Sequence, residues 1–89
     1  MAYRVEVTPA AERDIRKLDP HVRRPVNRDI LRLEENPRPH GVERMETKEK
    51  LYRFHVGPGK NYRVIYQIRD EALLVLVVKV GDRKECIVG

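Results

Sequence analysis

Leu51-Tyr52-Arg53-Phe54-His55-Val56, a break at Gly57-Pro58-Gly59-Lys60-Asn61, then Tyr62-Arg63-Val64-Ile65-Tyr66-Gln67-Ile68-Arg69: these two alternating stretches decide the fold of the chain. In the first, Tyr52, Phe54 and Val56 share one parity while Arg53 and His55 take the other. In the second, Tyr62, Val64, Tyr66 and Ile68 face one way and Arg63, Gln67 and Arg69 the other, with Ile65 the exception. Successive side chains of a strand point to opposite faces, so each stretch predicts a strand with one buried and one solvated side. The Gly-Pro-Gly segment supplies the hairpin connection. Asp70-Glu71 makes the next turn, and Leu73 to Val78 is apolar on both parities, which predicts a strand near the middle of a sheet. Gly81-Asp82 then predicts a bend into a short basic tail, Arg83 to Gly89.

Upstream of this meander the period changes. Tyr3 to Thr8 alternates like a half-buried strand, with Tyr3, Val5 and Val7 on one side. Thr8-Pro9 is a helix-start signal, an N-cap followed by proline at the first helical position, and Ala11, Ile15 and Leu18 follow at helical spacing to an end near Leu18. Asp19-Pro20 repeats the signal, and Val22, Val26, Ile30 and Leu33 form one stripe until Asn36-Pro37-Arg38-Pro39 stops it. Pro25 lies inside that stripe, where it removes a backbone donor and crowds the preceding turn, so either a kink there or a helix proper that begins near it is expected. His40 to Lys50 is polar and reads as a loop with at most one helical turn. The sum is an α+β fold in one domain, residues 1–89: an N-terminal strand, a two-helix hairpin, then an antiparallel β-meander with the helices on one face.

The chain has 89 residues, 40% of them hydrophobic and 37% charged, so its core is lean and its surface heavily charged. A net charge of +5 favours a polyanionic partner. A single cysteine, Cys86, excludes an intrachain disulfide and predicts a cytosolic protein. The longest apolar run, Ala72 to Val78, is far shorter than the roughly 20 residues of a membrane helix, and Met1-Ala2-Tyr3-Arg4 does not open a signal peptide; a soluble protein without a targeting segment is expected.

Between Lys50 and Arg69 there are 20 residues without an Asp or Glu, and they include Lys50, Arg53, His55, Lys60, Arg63 and Arg69. Hairpin pairing places Arg53, His55 and Arg63 on one sheet surface, with Arg83 and Lys84 expected to fall beside them. Guanidinium groups converging on one surface suit phosphodiesters, because each is planar, bidentate and always charged; the alternative is a solvated strand face. RNA cleavage without a metal needs an in-line 2′-hydroxyl, a base, cations to stabilise the charge on phosphorus and an acid for the leaving oxygen. Arg53, Arg63 and Arg83 can supply the cations, and His55 either the base or the acid. Other chemistries find little support. His21, His40, His55 and Cys86 lack metal-ligand spacing, and Gly57-Pro58-Gly59-Lys60 lacks the remaining glycine and the Ser/Thr of a phosphate-binding loop.

Leu51-Tyr52-Arg53-Phe54-His55-Val56-Gly57, Asn61-Tyr62-Arg63-Val64-Ile65-Tyr66-Gln67-Ile68 and Leu76-Val77-Val78-Lys79-Val80-Gly81-Asp82-Arg83-Lys84-Glu85 together resemble the RelE/ParE superfamily of type II toxin–antitoxin toxins, on its RelE side. The order of elements matches over essentially the whole chain. The resemblance implies a cytoplasmic mRNA interferase, a metal- and cofactor-independent endoribonuclease that inhibits translation by cutting mRNA in the ribosomal decoding site through 2′-hydroxyl attack. It places the catalytic positions at Arg53, His55, Arg63 and Arg83, and RNA binding is assigned to Lys48, Lys50, Lys60, Lys79 and Lys84. It also implies a cognate antitoxin that covers the basic face. Many members have lysine or arginine where this chain has His55, and the family often has a C-terminal tyrosine at the reacting nucleotide. Here no tyrosine follows Tyr66, and Ile87 or Gly89 stands at the candidate position, so a weak nuclease is expected. The same fold in its ParE form poisons DNA gyrase without RNA chemistry, and a catalytically dead toxin that only binds its antitoxin is the remaining alternative.

Overall fold

The computed structural model describes residues 2–46, 48 and 50–82. Strand β1 (Arg4–Val7) leads into helices α1 (Pro9–Arg16) and α2 (Pro20–Leu31), the latter extended by a 3₁₀ turn at Arg32–Glu34. Strands β2 (Glu43–Arg44), β3 (Leu51–Val56), β4 (Tyr62–Arg69) and β5 (Leu74–Asp82) follow. They form one five-stranded sheet in the order β1-β5-β4-β3-β2, with β1 parallel to β5 and the other pairs antiparallel. The α+β architecture and meander expected from the sequence are therefore present.

The caps explain the helix boundaries. The Thr8 hydroxyl accepts a hydrogen bond from the Ala11 amide at 3.2 Å, satisfying one of the free donors of the first turn of α1. Asp19 precedes α2 without a side-chain cap, and Pro20 supplies the helical φ instead. As the Asp19-Pro20 signal predicts, α2 begins at Pro20, and it continues through Pro25 rather than starting near it. One missing donor is tolerated because Val22, Val26 and Ile30 are buried on the same stripe and hold the helix to the sheet. The Arg23 guanidinium closes the corner between the helices by donating to the carbonyls of Arg16 (3.3 Å) and Leu18 (3.0 Å).

Ala11, Ile15, Val22, Val26, Ile30 and Leu33 meet Val56, Val64, Tyr66, Val75, Val77 and Val80 in a single core. Its sheet residues all lie on one face, and register makes this possible. β3 pairs with β4 without interruption, Tyr52 opposite Tyr66, Phe54 opposite Val64 and His55 opposite Arg63. Between β4 and β5 the register shifts: Ile65 faces Lys79, but Tyr66 faces Val77. Val78 is thus an extra residue that switches the parity of β5, so Val75 and Val77 point inward on one side of it and Val80 on the other. The run that is apolar on both parities owes part of its character to this bulge. Val64 and Tyr66 are fully buried as expected, whereas Tyr52, Phe54 and Tyr62 are only half-buried at the margin of the core.

Two further expectations change. The polar segment before β3 contains a two-residue strand, Glu43–Arg44, paired with Arg53 and Tyr52. Gly81 and Asp82 do not bend the chain; they continue β5, opposite Arg63 and Tyr62. The expected positions of Arg83, Lys84, Cys86, Ile87 and Gly89 lie outside the described residues.

A polar cluster fastens the sheet to the segment after the helices. The Tyr66 hydroxyl donates to the Pro37 carbonyl at 2.8 Å, and its ring stacks on Tyr52 with centroids 5.9 Å apart. The Arg38 guanidinium lies 5.5 Å from the centre of the Tyr52 ring and grips both oxygens of Asp70 at 3.1 and 2.9 Å. Tyr3 donates to the same carboxylate at 2.7 Å. Arg38 foremost, and then Tyr3, hold the Asp70 carboxyl down at a pKa of about 2. A depressed carboxyl stabilises the fold above its unfolded pKa, and that contribution is lost as pH falls through the folded value. Urea midpoints should therefore be lower for Asp70→Asn than for the wild type at pH 7, and the difference should shrink from about pH 4 toward pH 2. A difference independent of pH would assign the effect to packing.

Gly57 has φ +78°, and a Cβ there would come within 3.0 Å of Val26 Cγ2 and 3.1 Å of Tyr62 Cδ1. Its amide donates to Asp29 on α2 at 3.0 Å. Gly57→Ala should cost about 1–3 kcal/mol in chemical denaturation, and an unchanged midpoint would show that the turn relaxes without strain.

Candidate functional site

The face of the sheet opposite the helices carries none of the core cluster, and the meander arranges its polar parity in rows. In one row Glu43, Arg53, Ile65 and Lys79 lie side by side on β2, β3, β4 and β5. In the next, His55, Arg63 and Gly81 lie on β3, β4 and β5. Neighbouring strands are about 4.8 Å apart and alternate residues along a strand about 7 Å apart. Arg53, His55, Arg63 and Lys79 therefore share a patch on the scale of one nucleotide with its two phosphates. Gly81 leaves the β5 side of Arg63 without a side chain. The bulge at Val78 brings Lys79 to this face, between the inward-facing Val77 and Val80.

The sequence assignment of Arg53, His55 and Arg63 to one surface is thus reproduced, and Lys79 joins them. Lys48 and Lys50 belong to the connection between β2 and β3, which leaves the sheet beside Leu51, at the other end of β3 from His55. Lys60 ends the β3–β4 turn and, with His55, Phe54 and Gly57, lines a cleft of about 490 Å³ against Asp29, Leu33 and Pro39. Arg69 pairs with Leu74 at the far end of β4. Arg83 and Lys84 are outside the described residues.

The electrostatics of the patch include one group that the sequence reading missed. Glu43 accepts a hydrogen bond from Arg53 Nε at 3.2 Å. The Arg53 guanidinium holds the Glu43 carboxyl below the usual carboxylate range, and the charges of His55 and Arg63 add to the effect. The acid-free run from Lys50 to Arg69 is therefore not acid-free in space. A two-residue strand is too short to show periodicity, so nothing local in the sequence marked Glu43. Arg63 has the opposite character: its Nε is buried and finds no hydrogen-bond partner among the described residues. A buried donor of this kind is costly unless an oxygen reaches it. The patch can therefore bind an anion through guanidinium groups and holds an imidazole directly across from one of them, the set needed to stabilise a phosphodiester while a proton moves.

Comparison with known proteins gives the same direction. The sequence model described as "ParE toxin of type II toxin-antitoxin system, parDE" matches residues 5–86. The mRNA interferase toxin RelE of Escherichia coli K12 is 29% identical over 84 residues, covering 94% of this chain and 86% of the relative. The isolated E. coli RelE toxin superimposes with a TM-score of 0.75 at 27% identity over 91% of this chain and 84% of that one. RelE in the intact E. coli RelBE toxin–antitoxin complex gives 0.74 at 27% identity, covering 91% and 96% of the two chains. The archaeal RelE–RelB complex of Pyrococcus horikoshii gives 0.75 at 26% identity, covering 93% and 97%. The match over nearly the full length and the shared fold lead to one conclusion: the chain belongs to the ParE toxin family of type II toxin–antitoxin systems, on the RelE side of the RelE/ParE superfamily.

Proposed function

We infer that this protein is an mRNA interferase, the endoribonuclease toxin of a type II pair, which cuts mRNA on the ribosome and is held inactive by a cognate antitoxin. The observation that carries the reading is the patch on the open face, His55 directly opposite Arg63 with Arg53 and Lys79 in the adjacent row. The relatives named for mRNA interferase activity support the reaction, and RelE–antitoxin complexes of the same fold support the partner. The cytoplasm is the compartment this function requires; among the described residues no helix is long and apolar enough to cross a membrane.

The reaction follows from the side chains. A 2′-hydroxyl attacks the adjacent phosphorus in line, the 5′-oxygen of the next nucleotide leaves, and a 2′,3′-cyclic phosphate remains. Charge builds on the non-bridging oxygens at that moment, and Arg63 and Arg53 stabilise it because their guanidinium groups are already in place. His55 takes the 2′ proton while water protonates the leaving 5′-oxygen, or delivers a proton to that oxygen while water takes the 2′ proton. Lys79 fixes the neighbouring phosphate. The family resemblance implies a further cation at Arg83 and assigns RNA binding to Lys48, Lys50, Lys60 and Lys84. The ribosome supplies what a small patch cannot, an mRNA held in the in-line conformation.

Arg53→Ala or Arg63→Ala should lower single-turnover cleavage of ribosome-bound mRNA by about 10²–10³-fold, abolish growth arrest on induction and leave antitoxin capture largely intact. His55→Ala should lower the rate at least about tenfold, within the range of general acid–base catalysis. Full toxicity of both arginine variants would reduce the patch to a solvated surface. Gyrase-linked DNA breaks without positioned mRNA cuts after induction would replace this reading with the ParE-like one.

A further inference from the structure

Glu43 is the one carboxylate that the sheet register sets in the row of Arg53, Ile65 and Lys79. Its partner is a cation of the proposed site, bound at 3.2 Å. The pair is unequally exposed: the Arg53 side chain retains 29% of its accessible surface and the Glu43 side chain 50%. Arg53 is therefore anchored in the sheet, while the carboxylate approaches it from the solvent side. Glu43 also stands on the weakest element of the sheet, a strand of two residues at its edge. An edge strand that short opens at little cost, since it closes few ladder bonds. A carboxylate and a phosphodiester both offer two anionic oxygens to a guanidinium group.

We propose that Glu43 acts through Arg53 as an internal counter-anion that occupies the guanidinium on the open face until an RNA phosphate takes its place. The inference rests on the RNA reading of this face and adds a cost to binding, because each productive encounter exchanges a carboxylate for a phosphate. Glu43 itself does not move a proton in the reaction. It is already held ionised by Arg53, His55 and Arg63, which makes it a poor base.

The exchange has a signature that a plain surface ion pair lacks. A cation that meets RNA with no internal partner releases the counterions condensed on the phosphate, whereas one already neutralised by Glu43 releases fewer. Binding is measured with a single-stranded RNA oligonucleotide, 2′-O-methylated throughout so that it cannot be cut, across a series of salt concentrations. Glu43→Gln should bind about two- to fivefold tighter than the wild type. Its plot of log affinity against log salt should be steeper by up to about 0.7. Glu71→Gln, an equal charge change at an exposed position in the β4–β5 turn, should leave the slope unchanged. In an Arg53→Ala background, Glu43→Gln should add no more than Glu71→Gln does. On programmed ribosomes, Glu43→Gln should lower the half-saturating concentration and change the saturating single-turnover rate less than about threefold.

If Arg53→Ala weakens RNA binding but Glu43→Gln matches Glu71→Gln in affinity and slope, the counter-anion role is overturned alone. A saturating rate that falls tenfold or more, with affinity unchanged, would overturn it in favour of proton transfer by Glu43. If Arg53→Ala leaves RNA affinity unchanged, the RNA role of the face fails and this inference fails with it.

Discussion

The uninterrupted register between β3 and β4 is the constraint on which the rest of the molecule depends. A slip of one residue would turn Val64 and Tyr66 into water and Arg63 into the core. Tyr66 makes that slip expensive, since its ring is fully buried and its hydroxyl is committed to the Pro37 carbonyl. The segment that ends the helical half of the chain therefore fixes the sheet half in phase, and the phase sends Arg53, His55 and Arg63 to the open face. Packing thus fixes the face: the buried tyrosine sets where the half-buried arginines and His55 point.

The open face is electrostatically two-sided. Arg63 has a buried Nε with no hydrogen-bond partner among the described residues, while Arg53 is paired with Glu43. Burial of a charged group without full pairing costs stability, and proteins commonly accept such costs where a ligand will complete the site. The bulge at Val78 belongs to the same economy of parts, for one extra residue both fills the core with Val77 and Val80 and turns Lys79 outward.

Much of this was legible in the sequence because strand periodicity is strict. The parity of Tyr52, Phe54, Val64 and Tyr66 against Arg53, His55 and Arg63 was readable before any pairing was known, and the Thr8-Pro9 and Asp19-Pro20 signals located both helices. What escaped notice depended on contacts between distant residues. Pro25 fits inside α2 because the helix is held by its buried stripe rather than by its own hydrogen bonds alone. Glu43 joins the site through a strand too short to have a period. Asp70 reads as a turn residue, yet Arg38 and Tyr3, distant in sequence, converge on it. The bulge at Val78 was hidden within a run of apolar residues, where a change of parity leaves no mark.

If the open face is the RNA site, the scissile phosphate is received there, between β3 and β4. The most direct measurement is the structure of the protein on a programmed ribosome with an mRNA methylated at the reacting 2′-oxygen. The expected result has the scissile phosphate within about 3 Å of the guanidinium groups of Arg63 and Arg53, with the His55 imidazole beside the 2′- or 5′-oxygen. An mRNA seated against α1 and α2, or in the cleft beside Lys60 with Arg53 and Arg63 turned away from it, would place the RNA site elsewhere.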